Sequence, residues 1–313
     1  MMIAKNSAVR FLRWLGFASL SLVTACAFVE VNEPMVQLKD ESPEKFGVLV
    51  MAHGGTDDWN NGVEDSLDHL RSQYPVEIAF GMADAGSIES GVRKLEAQGV
   101  EHVGVVRLFI SGESWLQRTA QILGIESGAP TKPTEHSAMD HTAMPMGFWK
   151  IDSKLQFHLS REGLSEADEM DEVLLSRVRG LSSTPASEVV VIIAHGPADD
   201  EENARWISEI SDRTKLVKRE MNVSDIQVFT LREDWEEKRE GAEELIRGYL
   251  KEATAQSLTP IVVPFRVHGF GPYANVLAGL DYNADHKGLI PHSNIAIWIQ
   301  NQAELLRLEA QTH

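Results

Sequence analysis

The 313-residue chain contains one cysteine, Cys26. An intramolecular disulfide, a four-cysteine zinc site and a thiol catalyst in the body of the protein are thereby excluded. Basic residues are few: 29 Lys and Arg stand against 47 Asp and Glu, a formal net charge of −18. Such a surface repels a polyanion, so non-specific nucleic-acid binding is not expected. No phosphate-cradling glycine loop is present either. Gly269 and Gly271 form a Gly-x-Gly that lacks the continuation a nucleotide site requires, so no nucleotide is expected. A long apolar run is also missing, and the stretch at about residues 14–23 is too short and one-sided to span a bilayer.

What the chain does have is a repeated phrase. Residues 47–58 read GVLVMAHGGTDD and residues 189–200 read VVVIIAHGPADD; both fit Ala-His-Gly-x-x-Asp-Asp-x-x-Asn, closing on Asn61 and Asn203. An unbroken apolar, β-branched run reads as a strand buried on both faces of a parallel sheet. Each run ends in Ala-His-Gly, which puts His53 and His195 at the carboxyl edge of a sheet, where open α/β folds bind their ligands. Alone, a strand-end histidine such as His53 equally suits a hydrogen-bonded turn. Asp57, Asp58, Asp199 and Asp200 lie at helix starts, where capping of free N–H groups is a simpler role than metal binding.

Strands and helices alternate around both phrases. In the first half strands are predicted at 46–51, 76–80, 103–109 and 155–159, with helices at 59–73, 87–98, 115–123 and 166–178. A Ser/Thr/Pro-rich stretch at 182–187 marks the boundary. In the second half strands are predicted at 189–194, 226–231, 260–265 and, briefly, 295–298, with helices at 201–216, 236–254, near 273–280 and at the C-terminus. With 43% hydrophobic residues, the chain is long enough for two cores. The expected class is α/β: two tandem flavodoxin-like domains, 45–182 and 183–313, each a four-stranded parallel sheet flanked by helices. In a 2-1-3-4 strand order the first and third strands are neighbours, which brings His195 and His268 to one mouth. Imidazole both ligates transition metals and takes up protons near neutral pH.

At the N-terminus Lys5, Arg10 and Arg13 precede the apolar run, the layout of a secretory signal. Leu22-Val23-Thr24-Ala25-Cys26 resembles the lipobox of bacterial lipoproteins. That resemblance implies a signal peptide over 1–25, lipidation at Cys26, a tether over 26–44 and an extracytoplasmic, membrane-anchored location. In a Gram-negative cell this is the periplasmic side of the outer membrane.

Four pieces in order resemble the type II tetrapyrrole chelatases, the family of sirohydrochlorin cobaltochelatase and ferrochelatase. They are the strand-end histidine-glycine pairs (His53-Gly54 and His195-Gly196), the Asp-Asp-x-x-Asn helix starts, Pro264-Phe265 leading to His268, and the late segment Gly288-Leu289-Ile290-Pro291-His292. The resemblance implies a tandem chelatase-like fold that inserts a divalent metal, cobalt or iron, into a tetrapyrrole in the inter-domain cleft. It implies His195 and His268 as the metal-handling pair, with Glu233 as an acidic helper. His53 matches the first histidine of the other copy, but Ser111-Gly112-Glu113 stands where the second would be, so the first domain reads as a wall of the cleft unless Glu113 substitutes. Gly196, Gly269 and Gly271 leave room for a flat ligand and equally suit ordinary turns.

Residues 127–147, SGAPTKPTEHSAMDHTAMPMG, form an insertion that repeats His-Ser/Thr-Ala-Met. His136, Met139, His141, Met144 and Met146 fall at neither helical nor strand spacing, and thioether with imidazole suits copper. The segment resembles Met/His tracts of periplasmic copper-handling proteins. Three functions therefore stand at this stage: a metal chelatase, a non-catalytic extracytoplasmic protein that binds and delivers copper, cobalt, nickel, iron or a tetrapyrrole, or a partner-docking envelope protein that binds neither.

Overall fold

The computed structural model describes residues 45–133 and 146–312. The segments expected as signal peptide and tether, with Cys26, and His136, Met139, His141 and Met144 lie outside the described residues. From Glu41 onward the chain is one compact unit. Among the described residues no helix is long and apolar enough to cross a membrane.

The first half runs β1 (Phe46–Ala52), α1 (Asp57–Asp65), α2 (Asp68–Arg71), β2 (Val76–Phe80), α3 (Ala85–Ala97), β3 (His102–Leu108), α4 (Leu116–Leu123), β4 (Gln156–Leu159) and α5 (Glu169–Leu181). The second runs β5 (Glu188–Ala194), α6 (Asp200–Arg213), α7 (Lys215–Glu220), β6 (Asp225–Thr230), α8 (Glu236–Ala255), β7 (Thr259–Phe265), α9 (Tyr273–Val276) and α10 (Ser293–Gln311). The sheets are ordered β2-β1-β3-β4 and β6-β5-β7, with every pairing parallel. The expected α/β class and the 2-1-3 order of both halves are observed. Each helix expected after the repeated phrase is broken in two. Ser66 and Thr214 stand at the breaks and turn their hydroxyls back onto Gly62 O and Ser211 O, competing with the helical ladder.

The second sheet has three strands, not four, and residues 295–298, expected as its last strand, lie inside α10. Buried positions there fall at Ile295, Trp298, Ile299, Gln302, Ala303 and Leu306, the three-and-four spacing of a helix. The outer edge of β7 also cannot accept a full strand. Val262 N donates outward to Asn283 O, so Pro260 and Pro264, two residues to either side, turn toward the same edge with no N–H to give. In the first sheet the register equivalent of Pro264 is Arg107, whose N–H donates to Ser160 Oγ just past β4. A single bridge, Ile261 to Asn283, stands in for the missing strand.

Packing crosses the midpoint of the chain. Helix α5, from the first half, lies on α7 and β7, while α10, from the end of the second half, lies on β3, β4 and α2. Arg177 of α5 fastens the exchange, donating to the carbonyls of Gly288, Leu289 and Pro291. The largest core cluster accordingly draws on both sheets, from Val48 and Val50 to Val190, Ile192 and Trp298. The two lobes thus share a core, and their strand ends face a common cleft.

Candidate functional site

The repeated His-Gly phrase makes the same turn twice. Gly54 and Gly196 have φ of +79° and +78°, a conformation in which a side chain is strained. The turn brings each glycine carbonyl back to the preceding imidazole: His53 Nδ1 is 2.7 Å from Gly54 O, and His195 Nδ1 is 2.8 Å from Gly196 O. A carbonyl only accepts, so this contact assigns a proton to Nδ1 and directs Nε2 outward as the metal- or proton-binding nitrogen. Beyond the turn, the Thr56 hydroxyl caps α1 and the Asp199 carboxylate caps α6. The Asp-Asp pairs are thus helix-start residues.

His53, His195 and His268 line one cavity of about 640 Å³ between the lobes, together with Trp59, Trp115, Trp206 and Trp235. Its size is that of a small-molecule pocket. His195 is T-shaped to Trp235, and His53 is tilted against Trp59. His268 follows β7 and makes no hydrogen bond among the described residues. It is expected to pair with His195, and the structure brings both to this cavity.

The acidic partner of His195 is Asp234, whose Oδ2 lies 3.0 Å from Nε2. Glu233, the residue expected to help, is turned away into an ion pair with Arg266. The loop after β6 decides between these neighbours. Arg232 takes a left-handed φ of 59°, its N–H donates to His195 O at 2.7 Å, and its guanidinium is buried against the carbonyls of Pro197 and Ala198. The loop is thereby clamped onto the histidine turn with Asp234 in front. Two ligands at about 2.1 Å from one ion and at right angles are about 3.0 Å apart, so His195 and Asp234 fit adjacent positions of a metal. Among the described residues no three His, Cys, Asp or Glu side chains converge to hold an ion alone.

The first lobe's equivalents have other tasks. Register places Ser111 opposite His268, and its buried hydroxyl accepts from Glu113 N. Glu113 lines the cavity but is held in a two-pronged ion pair with Arg205 of α6, at 2.7 and 2.8 Å, which keeps its carboxyl below the usual range. Asp84 caps α3 and accepts from Gly147 N. Arg107, buried, donates to the carbonyls of Gly112, Ser114, Ser160 and Arg161 and so braces the loop leading to Trp115; burial lowers its pKa to about 10. Gly196 lines the cavity, whereas Gly269 and Gly271 do not and are left-handed turn residues.

Sequence reasoning did not find Asp234, Glu202 or the four tryptophans. Glu202, one turn into α6, lines the cavity, and burial and then the nearby Glu113 push its carboxyl above the usual range. Met146 closes the Met/His segment: Arg118 donates to Met146 O and Gly147 O, and also to Ala83 O, beside the cavity-lining Met82.

The CbiX family profile matches residues 47–179. No curated protein matches the sequence. Among solved structures, SirB from Bacillus subtilis with Fe3+ is similar at a TM-score of 0.57 and 15% identity, over 86% of this chain and 98% of that one. The sirohydrochlorin chelatase SirB from Bacillus subtilis subspecies spizizenii, in complex with cobalt, is similar at 0.51 and 16%, over 83% and 96%. DR2241 from Deinococcus radiodurans, a multi-domain protein with structural similarity to chelatases, is similar at 0.52 and 15%, over 83% of this chain. The chain spans 55% of DR2241. At these identities the likeness is one of fold. The CbiX match covers residues 47–179, so similarity to that family is shown for the first lobe.

Proposed function

We propose that this protein is a metal chelatase that inserts a divalent ion into a tetrapyrrole held between its lobes. The observation that carries the reading is the convergence of three histidines, two of them at strand ends, and four tryptophans from both halves on one cavity, with Asp234 at 3.0 Å from His195. The flat macrocycle lies in the cleft, and His195 with Asp234 presents the ion to one face, with His268 on the wall of the same cavity. Among the described residues no three His, Cys, Asp or Glu side chains converge on an ion. Such a site suits a substrate metal that must be released to four pyrrolic nitrogens. Insertion breaks two N–H bonds, and Asp234 and the cavity carboxylates accept the protons and pass them to water. The solved SirB complexes support cobalt or iron as the ion.

The test is a spectroscopic insertion assay with the full chain, Co(II) or Fe(II) and metal-free sirohydrochlorin. Many turnovers at a rate above buffer, abolished by His195→Ala or by His268→Ala, are expected. Stoichiometric binding without accelerated insertion overturns catalysis.

One observation favours a second reading, delivery of metal without turnover. The Met/His segment returns to the structure at Met146 and Gly147, tied by Arg118 and Asp84 beside cavity-lining Met82. Copper taken up by His136, Met139, His141, Met144 and Met146 would then arrive next to the histidines. The lipobox at Cys26 supports an extracytoplasmic, lipid-anchored location for either activity.

A further inference from the structure

Among the described residues His268 makes no hydrogen bond, so its ring is placed on the cavity wall by packing alone. Its main chain is fixed from behind. Leu289 N donates to Arg266 O at 2.7 Å, and Ile290 N donates to Val267 O at 2.9 Å. Gly288 lets the two segments meet, since a Cβ there would lie 2.7 Å from His268 Cα. The carbonyls of Gly288, Leu289 and Pro291 are in turn held by Arg177 of α5.

The ring itself meets the first lobe. Helix α1 comes so close at Gly62 that a Cβ there would lie 3.3 Å from His268 Cδ2 and 3.2 Å from Ile290 Cδ1. Contacts that short oblige a neighbour to move. Ile290 is 1% exposed and its backbone is anchored, whereas the His268 ring is half-buried and unbonded, so the ring is what would give way.

A glycine inside a helix lowers its stability relative to alanine, so its presence in α1 calls for a reason. The repeated phrase isolates that reason. After Asn61 the first copy continues with Gly62, while after Asn203 the second continues with Ala204. Ala204 is exposed on α6, and nothing at that position asks for a glycine. The difference between the copies falls where α1 meets the imidazole of the other lobe.

We propose that Gly62 is a positioning residue: by leaving room on α1 it seats the imidazole of His268, so that the first lobe sets the aim of the second lobe's histidine. This rests on the reading of His268 as a metal-handling group.

The experiment is a Co(II) titration of the full chain, followed by visible absorption, in the parent, Gly62→Ala, His268→Ala, the double variant of these two, and Ala204→Gly. Gly62→Ala is expected to weaken Co(II) by about tenfold. Its Tm is expected at or above that of the parent, because alanine favours a helix. In the His268→Ala background the same substitution is expected to weaken Co(II) no further, the coupling that marks an effect carried through the ring. Ala204→Gly is expected to lower the Tm and leave Co(II) affinity unchanged. Parent-like affinity in Gly62→Ala, equal weakening with and without His268, or matching weakening by Ala204→Gly overturns the inference and leaves the metal site standing. A Tm of Gly62→Ala well below that of the parent also overturns it, since the core and not the ring would then have taken the strain. If His268→Ala leaves Co(II) affinity unchanged, the metal-handling reading of His268 falls, and this inference with it.

Discussion

His53 and His195 follow equivalent strands, make the same left-handed turn and bond the equivalent glycine carbonyl, yet among the described residues only His195 has an acidic partner. The difference lies in the loops that arrive from neighbouring strands. In the second lobe the loop after β6 is clamped to the histidine turn and delivers Asp234, and the loop after β7 delivers His268. In the first lobe Asp84 is used to cap a helix, Ser111 to hold its own loop, and Glu113 to bind Arg205 across the cleft. One copy of the repeat sets an acid and a second histidine at the cavity beside its strand-end histidine, while the equivalent groups of the other hold a helix, a loop and Arg205. A strand-end histidine is therefore a scaffold for a site, and its neighbours decide its chemistry.

The two lobes are expected to differ most in their response to substitution at Arg107, the first-lobe counterpart of Pro264. Arg107→Met leaves the carbonyls of Gly112, Ser114 and Ser160 without their buried donor, and a loss of about 3 kcal/mol or more is expected in urea unfolding. Pro264→Ala, on an edge with no strand to pair, is expected to cost far less.

The turn glycines of the two lobes differ in the space behind them. A Cβ on Gly196 would lie 2.6 Å from Thr230 Cβ, whereas one on Gly54 would lie 3.0 Å from Phe80 Cβ. Both alanine variants carry the left-handed strain, so a loss of about 1–3 kcal/mol is expected for each, with Gly196→Ala the greater. Thermal unfolding of the two variants side by side checks the order.

The smallest effect concerns Glu202. Its carboxyl is raised by burial and by Glu113, so the folded state binds a proton more readily than the unfolded chain does. The charged form therefore lowers stability above the folded pKa, and this penalty vanishes below the unfolded value of about 4.3. Glu202→Gln is expected to raise the Tm slightly at pH 7 and to leave it unchanged near pH 3.5. A Tm difference that grows on acidification would contradict the assignment.

The α/β class and the strand order were legible because each phrase is a doubly buried strand followed by a capped helix, a pattern that periodicity reads directly. The expected fourth strand of the second sheet failed because a four-residue apolar run does not distinguish a strand from a helix. Pro260 and Pro264, which remove the donors from the outer edge of β7, were the signal to use. His195 and His268 were legible from topology. Asp234 was confused with its neighbour Glu233 because a single left-handed residue, Arg232, sets which acid faces inward. The tryptophans come together only through the packing of the two lobes, and no local pattern encodes that.

In the proposed reading the second lobe's strand ends hold the metal at the shared cavity. A titration of the full chain with Co(II), followed by its visible absorption, tests this most directly in the parent, His195→Ala, His268→Ala and His53→Ala. Losing a ligand from so small a set is expected to weaken Co(II) by about 100-fold in either second-lobe variant, with His53→Ala within about tenfold of the parent. Equal weakening by His53→Ala, or binding unchanged in both second-lobe variants, would contradict it.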